Sequence, residues 1–365
     1  MSNLLDRVLK AGSIKHASVL SDSPFFSAKD MIHTEIPIIN LAFSGSVDGG
    51  FVPGLTMFAG ESKTFKTLLG LYCMKAYLDK YPEGIAVLYD SEFGVTPEYL
   101  KGYGIDTDRV LHIPIEHVEQ LKFDIVKRLQ EIQRGDRVFF MIDSIGALAS
   151  KKETEDALEE KSAADLSRAK AMRSLLRIIT PHFTMKDLPC VLINHVYMTM
   201  EMYSRVVIPG GTAMTYLPNQ IFVITKAQEK DKEGDLAGYK FTINIHKSRF
   251  VKEKSKFPFT VLYEKGILKW SGMLDLALDT GYVVKPKIGW YQACDPETGE
   301  FRSDKMLREK DIVESDEFWN DILENTNFRE TMKKIFTIGE TSLMQNPDEE
   351  TEVSLEEETD IVNDE

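Results

Sequence analysis

Cysteine is scarce in this 365-residue chain, and its few copies form no pattern. The three cysteines are too far apart for a disulfide framework or a cysteine metal site, so a reducing cytosol is expected. No apolar run approaches the roughly 18 residues that a membrane span needs. The first ten residues carry charges and have no secretory core, which predicts a cytoplasmic protein without a membrane partner. The cysteines are Cys73, Cys190 and Cys294.

Basic residues are also in deficit, with 44 Lys and Arg against 58 Asp and Glu, for a net charge of −14. Such a balance argues against a nucleic-acid partner. Ten of the acidic residues, however, lie without any basic residue in Pro347–Glu365, so the rest of the chain carries only −4. This tail is expected to be disordered. It is either a solubility tail or a polyanion that competes with DNA phosphates for basic surface.

From Gly54 to about Tyr263, strand-like apolar runs alternate with helical stretches such as Lys66–Lys80 and Val118–Gln133. Several runs are apolar on both faces, which indicates central strands of a mostly parallel, doubly wound α/β sheet. The predicted strands are Leu55–Ala59, Ile85–Asp90, Val110–Ile113, Val138–Asp143, Val191–Asn194, Ile221–Thr225, Phe241–His246 and Phe257–Tyr263.

Four regions follow from this pattern. Residues 1–33 form an N-terminal helix, stopped by Gly12, and a linker, and residues 34–271 form the α/β core. Residues 272–342 form a small C-terminal α/β domain that includes the helical stretch Asp316–Phe336, and residues 343–365 form the acidic tail.

The first predicted strand leads through a glycine into Lys-Thr and a helix, which is the layout of a phosphate-binding P-loop. Backbone N–H groups would cradle phosphates, Lys66 would reach the β- and γ-phosphates, and Thr67 would hold Mg²⁺. The sequence departs at Phe65, where the pattern has its second glycine. The alternative is a glycine turn before an amphipathic helix. The loop is Gly60, Glu61, Ser62, Lys63, Thr64, Phe65, Lys66 and Thr67.

Two carboxylates complete the predicted nucleotide site. Asp143 closes a buried strand, where a P-loop enzyme orders its Mg²⁺, although it could instead cap a helix. The following residue is Ser144 rather than glutamate, so the catalytic base must come from elsewhere. Glu92, at the carboxyl end of the neighbouring strand, is the candidate, with a solvated loop carboxylate as the alternative. Together these motifs predict ATP and Mg²⁺ as cofactors.

With these motifs the chain resembles the RecA superfamily of recombinases, and within it the phage UvsX recombinases, over about Ile36 to Trp319. The resemblance implies that Glu92 is catalytic and that Tyr99 of Pro97-Glu98-Tyr99 stacks on adenine. Thr96 replaces an aspartate that contacts adenine in RecA. His195 stands where RecA has a glutamine that senses the γ-phosphate, and a histidine can still hydrogen-bond to phosphate.

The resemblance also implies DNA-binding loops. Its second loop would run from Val196 to Gly211, with residues that stack on bases or hold phosphate and a glycine hinge, although a buried apolar loop is the alternative. The first would lie near Lys151–Lys161, which is too acidic for individual contacts to be assigned. The residues of the second loop are Tyr197, Met198, Met202, Tyr203, Arg205, Gly210 and Gly211.

Two segments are candidates for contacts between protomers. Lys247 and Arg249 match a RecA lysine pair that reaches the ATP of the adjacent subunit, and arginine adds the fork geometry of a finger. Their alternative is a solvated basic edge strand. Phe25 and Ala28 have the Phe-x-x-Ala spacing by which related recombinases dock on a neighbour, although a plain linker fits them as well.

The expected function is a DNA-dependent ATPase that forms helical filaments on single-stranded DNA and catalyses homologous pairing and strand exchange. Its partners would be single-stranded DNA, homologous double-stranded DNA, a recombination mediator and a single-strand-binding protein, in the host cytoplasm if the chain is of phage origin. Two alternatives remain: a hexameric RecA-type helicase motor, and a regulatory ATPase that does not act on DNA.

Overall fold

The computed structural model describes residues 2–14, 16–25, 30–159, 167–199, 206–230, 236–262 and 266–338. The acidic tail and Ala28 lie outside these residues. The strands are β1 (Gly54–Gly60), β2 (Ile85–Asp90), β3 (Val110–Pro114), β4 (Val138–Asp143), β5 (Pro189–His195), β6 (Tyr197–Met198), β7 (Val206–Val207), β8 (Gln220–Lys230), β9 (Leu236–Lys247), β10 (Lys256–Leu262), β11 (Gly266–Ile267), β12 (Val283–Lys287) and β13 (Trp290–Ala293).

The helices fill the gaps between the strands and most of the C-terminal part. They are α1 (Ser2–Ala11), α2 (Pro37–Ser44), α3 (Lys66–Lys80), α4 (Pro97–Gly102), α5 (Val118–Glu131), α6 (Lys151–Leu158), α7 (Ser167–Met185), α8 (Ala213–Tyr216), α9 (Met273–Asp279), α10 (Glu309–Ile312), α11 (Asp316–Asn325) and α12 (Phe328–Phe336).

One nine-stranded sheet organises the molecule, in the order β11-β10-β9-β8-β1-β5-β4-β2-β3. The six strands from β8 to β3 pair in parallel, and β9, β10 and β11 extend the sheet with antiparallel pairs. Parallel neighbours end at the same edge, so the carboxyl ends of β1, β2, β4 and β5 lie side by side. This topology confirms the predicted α/β class with a mostly parallel sheet.

Helices cover both faces of the sheet. Every residue of β4 is buried, because Phe139 and Met141 join one apolar cluster while Phe140 and Ile142 join the other. Helix α3 packs on β1, β4 and β5 from the first side, and α7, which packs on α5, covers β1. Two-sided burial explains why the strand reads as a continuous apolar run.

The C-terminal part adds a two-stranded sheet, β12 with β13, and four helices. Its central residue, Trp319, is fully buried and stacks on Trp270 with ring centroids 5.7 Å apart. The predicted helical stretch Asp316–Phe336 is two helices, because Thr326 is extended and its hydroxyl accepts the N–H of Phe328. Apolar residues of this part join the core cluster on the first face of the large sheet.

The N-terminal segment exposes most of its apolar side chains. Helix α1 ends at Ala11, before Gly12, and its leucines and valine are largely exposed, Leu4 at 62% and Val8 at 64%. Phe25 contacts the guanidinium of Arg134 in its own chain, 5.0 Å from the ring centroid. Docking of this segment on a neighbouring protomer stays a prediction. Among the residues described, no helix combines the length and apolar character that crossing a bilayer requires.

Candidate functional site

The loop between β1 and α3 makes a tight turn at the carboxyl edge of the sheet. A side chain on Gly60 would place its Cβ 2.5 Å from Thr64 Oγ1 and 2.7 Å from the carbonyl oxygen of Ile224, so only glycine fits. The Thr64 hydroxyl donates to the carbonyl of Glu61 at 2.8 Å and closes the loop. No side chain caps the N-terminus of α3, which leaves its first N–H groups available to an anion.

Phe65 occupies the position where the motif has a glycine, and its backbone adopts the conformation that glycine favours. Its φ is +68°, and Lys63 also has a positive φ of +60°. A left-handed conformation is costly for an aromatic residue. The Phe65 ring packs against Phe241 and Phe259, with centroids 5.0 and 6.1 Å away, so contacts with β9 and β10 offset the backbone cost.

Lys66, the first residue of α3, is buried at the centre of the loop. Its Nζ donates to the carbonyl of Glu61 at 2.6 Å and to Thr64 Oγ1 at 3.3 Å. Burial lowers the pKa of Lys66, against the opposing charges of Glu92 and Asp143. A buried ammonium group at the N-terminus of a helix is suited to phosphate.

Asp143 lies at the end of β4 and is 3% exposed. The nearby Thr67 side chain acts to lower its pKa, and Oδ1 has no hydrogen-bond partner among the described residues. Burial raises the pKa of Asp143 to about 6, with the nearby Glu92 and Asp90 adding to the shift. A buried oxygen without a partner beside a threonine hydroxyl fits a hard divalent cation. Thr67 and Asp143 are therefore the residues that could hold Mg²⁺.

Replacing Asp143 with asparagine should stabilise the magnesium-free protein at neutral pH. The native pKa lies above the ordinary value of 3.8, so the native state resists ionisation and the free energy of unfolding falls as pH rises from about 4 through 6. Asparagine removes this penalty, which predicts a gain of about 1–3 kcal/mol at pH 7.5 and a smaller gain at pH 5. Urea unfolding in EDTA at both pH values measures it. An unchanged or lower stability at pH 7.5 would contradict the electrostatic assignment.

Glu92 reaches from the β2 edge to the ends of β4 and β5. Its Oε1 accepts a hydrogen bond from the hydroxyl of Ser144 and lies 2.9 Å from His195 Nε2. Desolvation acts to raise the pKa of Glu92, but the hydrogen bonds from Ser144 and His195 and the charge of Lys66 outweigh it and lower the pKa. His195 pairs in register with Gly60, the first residue of the phosphate loop. One sheet edge thus brings together Lys66, Asp143, Glu92 and His195.

Tyr99 lies in α4, which follows β2. The residue is 41% exposed, and its ring meets that of Tyr103 edge-on, with centroids 5.0 Å apart. Thr96 caps α4 by accepting the N–H of Tyr99 at 3.2 Å, so its hydroxyl is used in the helix cap. An exposed aromatic face of this kind is open to a base, and adenine stacking stays a prediction.

The segment predicted as the second DNA loop begins and ends as a hairpin. β6 and β7 pair antiparallel, Tyr197 with Val207, and Tyr197 is 55% exposed. Gly210 and Gly211 have φ values of +104° and +84°, conformations that suit glycine. The Asn194 amide donates to the carbonyl of Pro209 at 3.3 Å, which ties the end of the hairpin to β5. Met198 contributes its backbone to β6, and Met202, Tyr203 and Arg205 lie outside the described residues.

The segment proposed for the first DNA loop is partly helical. Residues Lys151–Leu158 form α6, opened by a capping box in which Ser150 and Glu153 satisfy each other's backbone N–H groups. Residues 160–166 lie outside the described part of the chain. The first DNA loop near residues 151–161 stays a prediction, and its first eight residues are helical.

Lys247 and Arg249 lie away from the phosphate loop of their own chain. Lys247 pairs with Ile221, which is level with Met57, three residues before Gly60 on β1. Along the strand direction the backbone of Lys247 therefore lies roughly 10 Å from Gly60. Lys247 Nζ donates to the carbonyls of Thr215 and Tyr216, and Arg249 is exposed. Burial and the charge of Arg249 lower the pKa of Lys247.

The sequence did not predict the contacts that Ser144 and Lys226 make at the site. Ser144, interpreted from the sequence only as a missing glutamate, donates to Glu92. Lys226 of β8 lies over the ring of Tyr239 at 5.6 Å and directs Nζ to the loop carbonyls of Ser62 and Lys63, 3.4 and 3.3 Å away. Both contacts depend on strand pairing between distant segments, and only the position of Ser144 after a strand-end aspartate offered a signal.

Comparison with known proteins first shows the family to which this chain belongs. Residues 38–268 match the model of the RecA N-terminal domain, which covers more than half of the chain. The chain therefore belongs to the RecA family, as its motifs predicted. It is 28% identical over 334 residues to protein RecA of Oleidesulfovibrio alaskensis, covering 88% of both chains. It is 25% identical over 301 residues to protein RecA of Tropheryma whipplei, covering 80% of this chain and 67% of that one.

Within the family, this chain has a higher sequence identity to a phage protein than to the two RecA proteins above. Residues 270–332 match the C-terminal domain of the bacteriophage T4 recombination and repair protein. The recombination and repair protein of enterobacteria phage T4 is 47% identical to this chain over 342 residues, 93% of this chain and 87% of the relative. The predicted resemblance to this phage branch is confirmed.

Proposed function

We propose that the protein is an ATPase that assembles on single-stranded DNA and catalyses homologous strand exchange. ATP would lie on the N-terminus of α3, with Lys66 against its β- and γ-phosphates and Tyr99 against adenine. Thr67 and Asp143 would hold Mg²⁺, which supplies positive charge to the phosphates when it is bound. Glu92, whose lowered pKa keeps it ionised, would orient or deprotonate the attacking water.

The contact between Glu92 and His195 is the observation that carries the proposal. His195 joins the candidate base to the strand that leads, after one residue, into the β6–β7 hairpin. A γ-phosphate that takes His195 as its hydrogen-bond partner would change this contact and move the start of the hairpin. Nucleotide state and the grip on DNA would thus be coupled through one side chain.

The position of Lys247 and Arg249 supports a site shared between protomers. Lys247 is level with Met57 rather than with the phosphate loop, and its Nζ donates to the carbonyls of Thr215 and Tyr216. A head-to-tail neighbour could present them to the next ATP, and such an interface repeats into a helical filament. Charge developing during phosphoryl transfer would be neutralised only where two protomers meet.

DNA would be bound without regard to its sequence. Exposed Tyr197 can stack on base faces, and basic side chains can take phosphates, so the protein holds strands while base pairing tests homology. The partners we propose are single-stranded DNA, homologous duplex, a recombination mediator and a single-strand-binding protein. With such partners the protein would act in the cytoplasm of the host cell.

The direct test is ATP hydrolysis with and without circular single-stranded DNA. We expect DNA to raise turnover by at least about tenfold, because the hairpin and the nucleotide site share His195. Electron microscopy of the same mixture should show open helices on the DNA. One rate of hydrolysis in both conditions, with no assembly, would overturn the proposal. Closed rings with DNA-stimulated turnover would indicate the helicase motor instead.

A further inference from the structure

Asp90, the last residue of β2, is a buried carboxylate without a role in the mechanism above. It is 2% exposed, and its Oδ1 accepts two backbone hydrogen bonds, from Glu92 N at 3.0 Å and Phe93 N at 2.7 Å. Its Oδ2 lies 3.1 Å from Nε2 of His112 on the edge strand β3. Both carboxylate oxygens therefore have partners.

These bonds shape the turn that presents Glu92. The chain bends directly after β2, and Phe93 has a positive φ of +54°, which is uncommon for an aromatic residue. An aspartate that accepts the N–H groups two and three residues ahead stabilises such a turn. The N–H of Glu92 itself is one of the two, so Asp90 holds the backbone from which the glutamate side chain extends.

The side chain of Glu92 is fixed separately, by Ser144 and His195 at its carboxylate. Glu92 is thus held at both ends, by Asp90 at the backbone and by β4 and β5 at the carboxylate. A general base works only within hydrogen-bond reach of the proton it takes, and a misplacement of about 1 Å can cost a hundredfold in rate.

His112 completes the arrangement. It approaches Asp90 from the neighbouring strand and is 45% exposed on its side chain, so the carboxylate has a polar partner at the sheet edge. The resulting chain, His112 to Asp90 to the Glu92 turn, resembles the way in which a third group orients a catalytic base.

We infer that Asp90 is the positioning residue of Glu92: by accepting the N–H groups of Glu92 and Phe93 it sets where the catalytic carboxylate stands. This inference rests on the proposed ATPase function. In this role Oδ1 acts by accepting hydrogen bonds, and asparagine retains an oxygen acceptor. The charge of Asp90 is therefore dispensable and its acceptor oxygen is required.

The test compares Asp90→Ala with Asp90→Asn in the full chain, with single-stranded DNA. Asp90→Ala should lower kcat about 10- to 100-fold while the affinity for a fluorescent ATP analogue stays within about twofold. Asp90→Asn should recover kcat to within about threefold of the unmutated protein. The matched control is Asp106→Ala, which removes an exposed carboxylate that accepts the N–H of Asp108 at 3.1 Å, and kcat should not change.

A double-mutant cycle with Glu92→Ala separates positioning from general destabilisation. If Asp90 acts through Glu92, then Asp90→Ala should not reduce the residual rate of Glu92→Ala further. A multiplicative loss would overturn the inference, as would a normal kcat in Asp90→Ala or an equal loss in Asp90→Asn. Should Asp90→Ala fail to fold, Asp90→Ser, whose hydroxyl is a weaker acceptor, should show an intermediate loss.

Two controls distinguish a failure of the proposed ATPase function from a failure of the positioning role of Asp90. If the unmutated protein does not hydrolyse ATP, or if Glu92→Ala hydrolyses it normally, the proposed function fails. If the unmutated protein is active, Glu92→Ala is impaired and Asp90→Ala is normal, only the positioning role of Asp90 is wrong.

Discussion

Replacing Lys66 with alanine is expected to lower ATP turnover by at least about a hundredfold, both with and without DNA. The buried ammonium group is the cation at the centre of the phosphate loop, and it also lowers the pKa of Glu92. Alanine removes the positive charge that would offset the negative charge developing on the phosphates during phosphoryl transfer. A coupled assay of ADP release measures the loss over a range of ATP concentrations.

The matched control for Lys66 is Lys80→Ala, at the opposite end of the same helix. Lys80 is an exposed residue that pairs with Asp30, so its loss removes an equal charge from α3 without touching the loop. Turnover of this variant should stay within about twofold, since exposed ion pairs contribute little to stability. Near-normal turnover in Lys66→Ala would remove the assignment of residues 60–67 as a phosphate loop.

Replacing Arg249 with alanine is expected to abolish DNA-stimulated turnover alone but to restore it when mixed with Lys66→Ala. In the proposed shared site each variant would lack a different half, so a junction that takes its phosphate loop from one variant and its arginine from the other would be intact. For random assembly at equal amounts, about a quarter of the junctions are complete, and turnover should approach about a quarter of the normal rate. Titrating one variant against the other should give a bell-shaped curve.

Lys252→Ala is the control for that mixing experiment. Lys252 belongs to the same basic run and is exposed, but it contacts the carbonyl of Lys334 in its own chain. It should be active alone, and mixing it with Lys66→Ala should give only dilution. Strict absence of rescue in the Arg249 mixture would show that the arginine does not act across protomers.

The elements of the core could be predicted wherever a local pattern was strong. Strand β4 and helix α3 have the predicted bounds, because a two-sided apolar run and a glycine loop before an amphipathic stretch are local signals. β8 and β9 are longer than the predicted Ile221–Thr225 and Phe241–His246. Their outer parts carry exposed residues such as Lys226 and Gln228, which pair as a hairpin beyond the core and show no apolar run.

The features of the site likewise fall into those that local sequence predicts and those that only the folded structure shows. The sequence by itself determined the predictions of residues 60–67 as a phosphate loop, of Asp143 at a strand end and of Glu92 as the base, because each follows directly from residue types next to a strand. Only the tertiary structure decided that Phe65 packs on β9 and β10, that Glu92 meets Ser144 and His195, and that Asp90 holds the Glu92 turn. The physical reason is that local sequence encodes burial and backbone conformation, whereas contacts between distant segments depend on the order and register in which the strands pair.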